Sequence, residues 1–489
     1  MGYRHTGQHG ASIVAADNAP AKVKGAANFI CDGVDDQVEI NAAIQALQAE
    51  GQEGGDILLV GHFTISDKIS LPPNFALRGT SVYGTRVKLQ PDTIVPSMIE
   101  LEAPQSAKGF QDIRNLFLDG SQNQAGVCTV AGIDNITSSF GAFDVRMRNV
   151  FVANIGGVGI RSRQCWGWHI NTVVIEWCTG HGIEVIDGSG PKLVNTKIRQ
   201  NNGIAFYRSG GNAIDLLVNC EFSSDVATNY SVQTDTGRLV LRNCLFGAES
   251  RAVRINGGSY CTIAGCHFSG QGPFIHVGAG DYHSITGCVF YGAADKAVEL
   301  ERSYCTISDN IFVGNGTGIY VANKRNTIRG NVLVNNTTGM EMVRSSANGN
   351  SIVGNTFYNN TTNLFDDDGR NDLVGNEGYV SRVSEEISHT TGAGETTVTL
   401  NHDLSAPAPY ACDRIVKVTP MNAAMASTDW YVSSVTDSQV VISGLSENTW
   451  YRFQIEIQYQ NRTNNLAVAS CSEAHGIRKL TPPARRPRS

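Results

Sequence analysis

Arg254, His276, Glu299 and Tyr320 follow one another at intervals of 22, 23 and 21 residues, each inside a short alternating segment. Together they offer acid/base chemistry on a charged ligand. A guanidinium such as that of Arg254 grips a carboxylate through two parallel hydrogen bonds. The imidazole of His276 titrates near neutrality, and a neighbouring carboxylate such as Glu299 would orient it and raise its pKa toward a usable range. Tyr320 can donate a proton or serve as a stacking platform. Glu301 and Glu341 supply further carboxylates, and Arg161 with Glu184 repeats the cation–carboxylate theme earlier in the chain, close to Trp166, Trp168 and Trp177. The plain structural alternative is an ordinary solvated strand face. Charged residues are expected there, alternating Arg and Glu form weak pairs, and such charge deters edge pairing. Tryptophans, in turn, pack ordinary cores.

Metal chemistry finds little support. Asp366-Asp-Asp368 before Gly369 is an acidic run of calcium type, but it lacks the ligand spacing of a known loop. His5, His9, Asp17 and Cys31 do not form a zinc pattern either. No metal or cofactor is expected, and Ca2+ has no motif behind it.

The elements that must position these residues repeat. Cys261-Thr-Ile-Ala-Gly-Cys-His-Phe268 returns as His283–Phe290, Cys305–Phe312, Asn326–Leu333 and Asn350–Phe357, and fades at Asn371–Asn376. The central apolar residues are Ile263, Ile285, Ile307, Ile328, Ile352 and Leu373, spaced 22, 22, 21, 24 and 21. Such a period means stacked units that cannot bury an apolar face alone. Each unit also carries a strictly alternating segment, for example Phe274–Val277, Ala297–Leu300 and Gly318–Val321. Alternation sends one set of side chains inward and the other outward. The outward set is expected to be Arg161, Glu184, Ala205, Ser231, Arg254, His276, Glu299, Tyr320 and Glu341, about 4.8 Å from rung to rung. A flanking row holds Arg163, Tyr207, Asn256 and Glu301.

At one phase of the repeat stand Cys220, Cys244, Cys266 and Cys288, then Asn310, Asn331, Asn355 and Asn376. Stacked side chains pointing one way suit an amide ladder and are poorly placed for disulfides. The cysteines read as buried thiols acting as small fillers, which fits synthesis in a reducing compartment. The net charge of -7 argues against nucleic acid as the main partner. No apolar run approaches a membrane span, and the first residues show no secretion signal.

Asp32-Gly-Val-Asp-Asp36, Ile40-Asn-Ala-Ala-Ile44 and Gly54-Gly55 before an apolar strand resemble the N-terminal cap of pectate-lyase-like right-handed parallel β-helix proteins. Gly61-His-Phe-Thr-Ile65 and Leu71–Gly79 are similar to the first coil of that superfamily, which includes many phage tailspikes. The resemblance covers roughly residues 25 to 380 and transfers no catalytic residue. It implies an all-β chain: a right-handed parallel β-helix, or solenoid, with an N-terminal helical cap. A compact antiparallel module after residue 385 reads as a small β-sandwich. The expected divisions are a cap over 1–56, the helix over 57–380, the sandwich over 385–462 and a flexible basic tail over 463–489.

The resemblance also implies a polysaccharide or glycan as partner, an extracellular or virion-associated setting, and leaves a homotrimer open as the assembly. On that footing a lyase or glycoside hydrolase would use His276, Glu299 and Tyr320 as catalytic groups. Arg254, Glu341, Arg161, Glu184, Trp166 and Trp168 would bind substrate. Glu299 and Glu341, two rungs apart, approach the upper limit of an inverting carboxylate pair. The alternative is a non-catalytic fibre or adhesin that binds glycans.

Overall fold

The computed structural model describes residues 10–91, 93–102, 110–121, 131–135, 144–224, 229–247, 251–343, 347–366, 371–376, 382–391, 393, 395, 397–401, 413–420, 431–435, 439–445 and 450–460. The basic tail, His5, His9 and most of the Asp366–Asp368 run lie outside them. The chain divides into two compact units, 1–367 and 368–489.

The first unit is a parallel β-helix whose coils carry three strands, one more than the repeat phrase suggests. The phrase itself bends in the middle: Thr262–Ala264 and His267–Ser269 are separate strands, and Ile275–Val277 is the third. The bend is the Gly of the phrase. Gly265, Gly287, Gly330 and Gly354 have φ of 62–64°, and Asn195, Asn219, Asn243 and Asp309 hold the same left-handed corner in other coils. That region favours residues without a Cβ or with a short polar side chain.

The expected columns stack in register. Ile263, Ile285, Ile307, Ile328 and Ile352 pair coil to coil and are buried. Beside them Phe246, Phe268, Phe290 and Phe312 stack with ring centroids 4.6–4.8 Å apart. The residue after the corner has a polar task. Asn310 accepts the Cys288 N–H at 2.8 Å, Asn331 accepts the Asn310 N–H at 3.0 Å, and their amides bond to each other. The thiols do the same in earlier coils, because Cys266 Sγ accepts the Cys244 N–H and Cys288 Sγ the Cys266 N–H, both at 3.4 Å. They are therefore polar partners as well as fillers. Cys31, Cys178, Cys220, Cys244, Cys261, Cys266, Cys288 and Cys305 are free and buried.

The helix expected at the N-terminus spans Gln37–Ala49 and buries Ile40, Ala43, Ile44 and Leu47, while Val38 faces solvent. It lies against strands Gly10–Ala15 and Gly55–Ile65, where a Cβ on Gly10 or Gly55 would stand within 2.7 Å of Leu47. Asp36 does not cap this helix with its side chain. Its carboxylate instead accepts N–H groups of Gly33 and Thr64, tying the acidic turn to the first coil. In the second unit two three-stranded antiparallel sheets form. One orders Arg382–Thr390, Trp450–Gln460 and Asp413–Pro420; the other orders Thr397–Asn401, Gln439–Ser443 and Tyr431–Val435.

Candidate functional site

The third strands of the coils form one thirteen-stranded parallel sheet. Its outward residues stay in register from Glu100 through Asp134, Arg161, Glu184, Tyr207, Gln233, Arg254, His276, Glu299 and Tyr320 to Glu341. Arg254, His276, Glu299 and Tyr320 are thus brought to one face on consecutive coils, as their spacing predicts. Two expected rungs are wrong. Ala205 and Ser231 are buried, and Tyr207 and Gln233 take their places.

In the upper cluster the partners differ from those expected. His276 Nε2 lies 3.5 Å from Glu301, so its carboxylate partner is the flanking residue rather than Glu299. Glu299 is bonded by Lys296 at 2.5 Å, and the same ammonium sits 3.8 Å from the centre of the Tyr320 ring. Burial pulls the Lys296 ammonium down, but the Glu299 hydrogen bond and charge outweigh it and hold the pKa above its ordinary value. Arg251 and Arg254 both lie 5.5 Å from the Tyr230 ring, a residue the sequence pattern did not single out. The Nε of Arg254 is buried without a hydrogen-bond partner among the described residues. Glu341 receives a long bond from Thr317.

Five rungs below His276, Arg161 donates to Glu184 at 2.6 Å and approaches Asp134 at 3.5 Å, while Arg163 approaches Asp134 at 3.4 Å. Burial holds the Asp134 carboxyl above its ordinary range even though Arg163 and Arg161 oppose the shift. Its Oδ1 is buried with no partner among the described residues. Next to Glu184 in the ladder, Tyr207 donates to Asp235 at 2.7 Å, and Gln233 and Asn256 also donate to that carboxylate, at 2.8 and 2.9 Å. Burial, reinforced by Asp235, pushes the Tyr207 phenol up to about 12. Burial works against the Asp235 charge, but its three donors and Arg254 win and lower its pKa. The ring of His181 packs 4.8 Å from Tyr207, and its Nδ1 accepts the Ile204 N–H at 2.9 Å, leaving Nε2 as the protonated nitrogen. Burial lowers its pKa.

Asp134, His181 and Asp235 were not found from sequence: Asp134 is the last residue of a four-residue strand outside the repeat phrase, and His181 and Asp235 lie beyond the strands. Trp168, expected to stack on a sugar, is 1% exposed and belongs to the core, so it presents no ring to a ligand. Trp166 remains 54% exposed in the turn that follows the Arg161 strand. A further acidic group, Cys31, Asp36 and Glu39, has its ligand atoms within 4.8 Å of one another. It fits a metal poorly, because Asp36 is already engaged by two backbone N–H groups and burial pushes the Cys31 thiol up.

With registered coils, three strands per turn and inward columns, the first unit folds as a parallel β-helix. Residues 215–362 match the family model described as "Right handed beta helix region". By structure the chain is similar to the A-module of mannuronan C-5 epimerase AlgE4 from Azotobacter vinelandii, with 17% identity and a TM-score of 0.51, over 73% of this chain and 99% of that one. It is also similar to tailspike protein 3 of bacteriophage CBA120, with 17% identity and a TM-score of 0.51, over 70% of this chain and 59% of that one. At such identity the likeness speaks for the fold alone. No curated protein sequence matches the chain. Among the described residues, no helix is long and apolar enough to cross a membrane.

Proposed function

We propose that the third face binds an extended acidic polysaccharide and that the protein cleaves it by proton transfer, as a lyase or glycoside hydrolase. The observation that carries this reading is the unbroken register of polar and ionisable side chains from Glu100 to Glu341, a straight track across eleven coils. Arg254, half-buried on this face, holds a carboxylate of the chain. His276, oriented by Glu301, exchanges the proton with the reacting sugar. Glu299 and Tyr320 complete the site, and Arg161, Glu184, Trp166 and Glu341 bind the polymer on either side. A mannuronan epimerase and a phage tailspike among proteins of the same fold are in keeping with this substrate class and with an extracellular or virion-associated setting.

The test is incubation with mannuronan and other acidic polysaccharides, followed by product sizing. Ultraviolet absorbance of an unsaturated uronate identifies a lyase, and new reducing ends without it identify a hydrolase. His276→Ala and Glu299→Gln should lower kcat about 100-fold or more. Arg254→Gln should mainly raise KM, and more at low salt, where charge attraction is less screened. Full activity in all three variants, with loss in Tyr207→Phe or His181→Ala, would move the chemistry to the lower rungs.

One observation favours a binder without chemistry. Glu299 and Glu184 are each held by a cation of the same face, as on an ordinary charged sheet. Retention of polymer on the protein with no change in its size would establish that reading.

A further inference from the structure

The first strands of the coils carry a separate charged feature. Arg146, His169 and Lys192 pair directly across three successive strands, with Arg148 and Asn171 in the next outward row. These side chains line a recess of about 280 Å3 floored by Ile170. Several cations of this sheet are neutralised across strands, Arg78 by Asp56, Lys197 by Glu221 and Arg199 by Glu176, and Arg148 at the recess itself is paired with Asp112. Arg146 and Lys192 have no acidic partner within ion-pair distance among the described residues, and Arg146 rests on the Phe110 ring at 4.5 Å. Like charges placed directly opposite on neighbouring strands repel. The sequence therefore keeps two unpaired cations in this row, beside the Arg148–Asp112 pair.

We infer that the recess between Arg146, His169 and Lys192 is an anion-binding subsite for an oxyanion group, a carboxylate or a phosphate. Two cationic side chains flank the imidazole, whose N–H can complete a three-sided set of donors around one oxyanion. The effect on His169 supports this. Burial, then the Lys192 and Arg146 charges, lower its pKa, and Asp144 opposes them. An anion in the recess would offset both cations. The subsite lies on a different face from the polysaccharide track, so it stands or falls independently of the proposed activity.

His169 itself is the reporter. Its ring proton signals, assigned by their loss in His169→Gln, are followed against pH in the full chain alone and with sodium phosphate, D-glucuronate or neutral glucose. Sodium chloride at matched ionic strength is the control. The proposal expects a bound oxyanion to raise the His169 midpoint by about one pH unit relative to that control. It expects glucose to leave the midpoint in place, and Arg146→Gln combined with Lys192→Gln to remove the response with the melting temperature unchanged. A response to glucuronate alone identifies a saccharide carboxylate, and one to phosphate alone a phosphoryl group. Equal midpoints in chloride, phosphate and glucuronate would overturn the inference, as would an undiminished response in the double variant.

Discussion

His283 shows how one side chain can set the pH response of the fold. It occupies the buried column formed by Cys261, Cys305, Asn326 and Asn350, where each residue accepts a backbone N–H from the coil before. Nδ1 accepts from Cys261 at 3.2 Å and Nε2 faces the Ala279 carbonyl at 3.0 Å, so the ring must be neutral. Burial lowers its pKa below the ordinary value. The unfolded chain then takes up a proton as pH falls through about 6.5 while the native chain does not, and stability declines on the acid side. His283→Asn, which copies Asn326, should reduce the slope of urea midpoint against pH below about 6.5. His181, half-buried with a lowered pKa, leaves a residual slope. An unchanged slope in His283→Asn would contradict this assignment. The neighbouring ladder, Cys220 to Cys288 and then Asn310 to Asn376, was legible in sequence because thiols and then amides recur at one phase of the period, whereas the column through His283 was not singled out. The sulfur's role as an acceptor was not, since nothing in composition separates a packed thiol from one that receives an N–H.

At the level of strands, alternation proved sufficient for the face and insufficient for the rung. Ile160, Ile183 and Phe206 pair in register, 23 residues apart each time, although Gly203-Ile204 looks in sequence like the partner of Gly182-Ile183. A shift of two residues preserves alternation, so the pattern cannot detect it. That is why Ala205 and Ser231 were expected outward, and why Tyr207 looked like a flanking residue. Asp134, His181 and Asp235 enter the site from strand ends and turns, where periodicity carries no signal. The inward columns are more strictly determined. Ile307 is fully buried between Ile285 and Ile328. Ile307→Asp should lower unfolding stability by about 3 kcal/mol or more, because an unpaired charge enters the column. Wild-type denaturant midpoints in that variant would contradict the stacking register.

For the whole molecule, the second strands present the strongest contrast with the polar track. Leu245, His267, Val289, Ile311, Val332 and Thr356 form one outward row. Tyr291, Val313, Val334 and Tyr358 form the next. Ile311 is 43% exposed and Tyr358 68%. A largely apolar face of this kind suits association, and we propose a second copy of this chain, in a homotrimer or smaller assembly, as its partner. Ile311→Lys with Val332→Lys should shift the sedimentation of the protein toward monomer and leave its melting cooperative. An unchanged assembly would place the interface elsewhere.

The central claim, that the polar third face is the polysaccharide track, is tested most directly by a crystal structure of Glu299→Gln with a bound acidic oligosaccharide. The account predicts sugar density running along the coil axis over Arg254, His276, residue 299 and Tyr320, with a carboxylate against the Arg254 guanidinium. Density confined to another face, with these rungs bare, would contradict it.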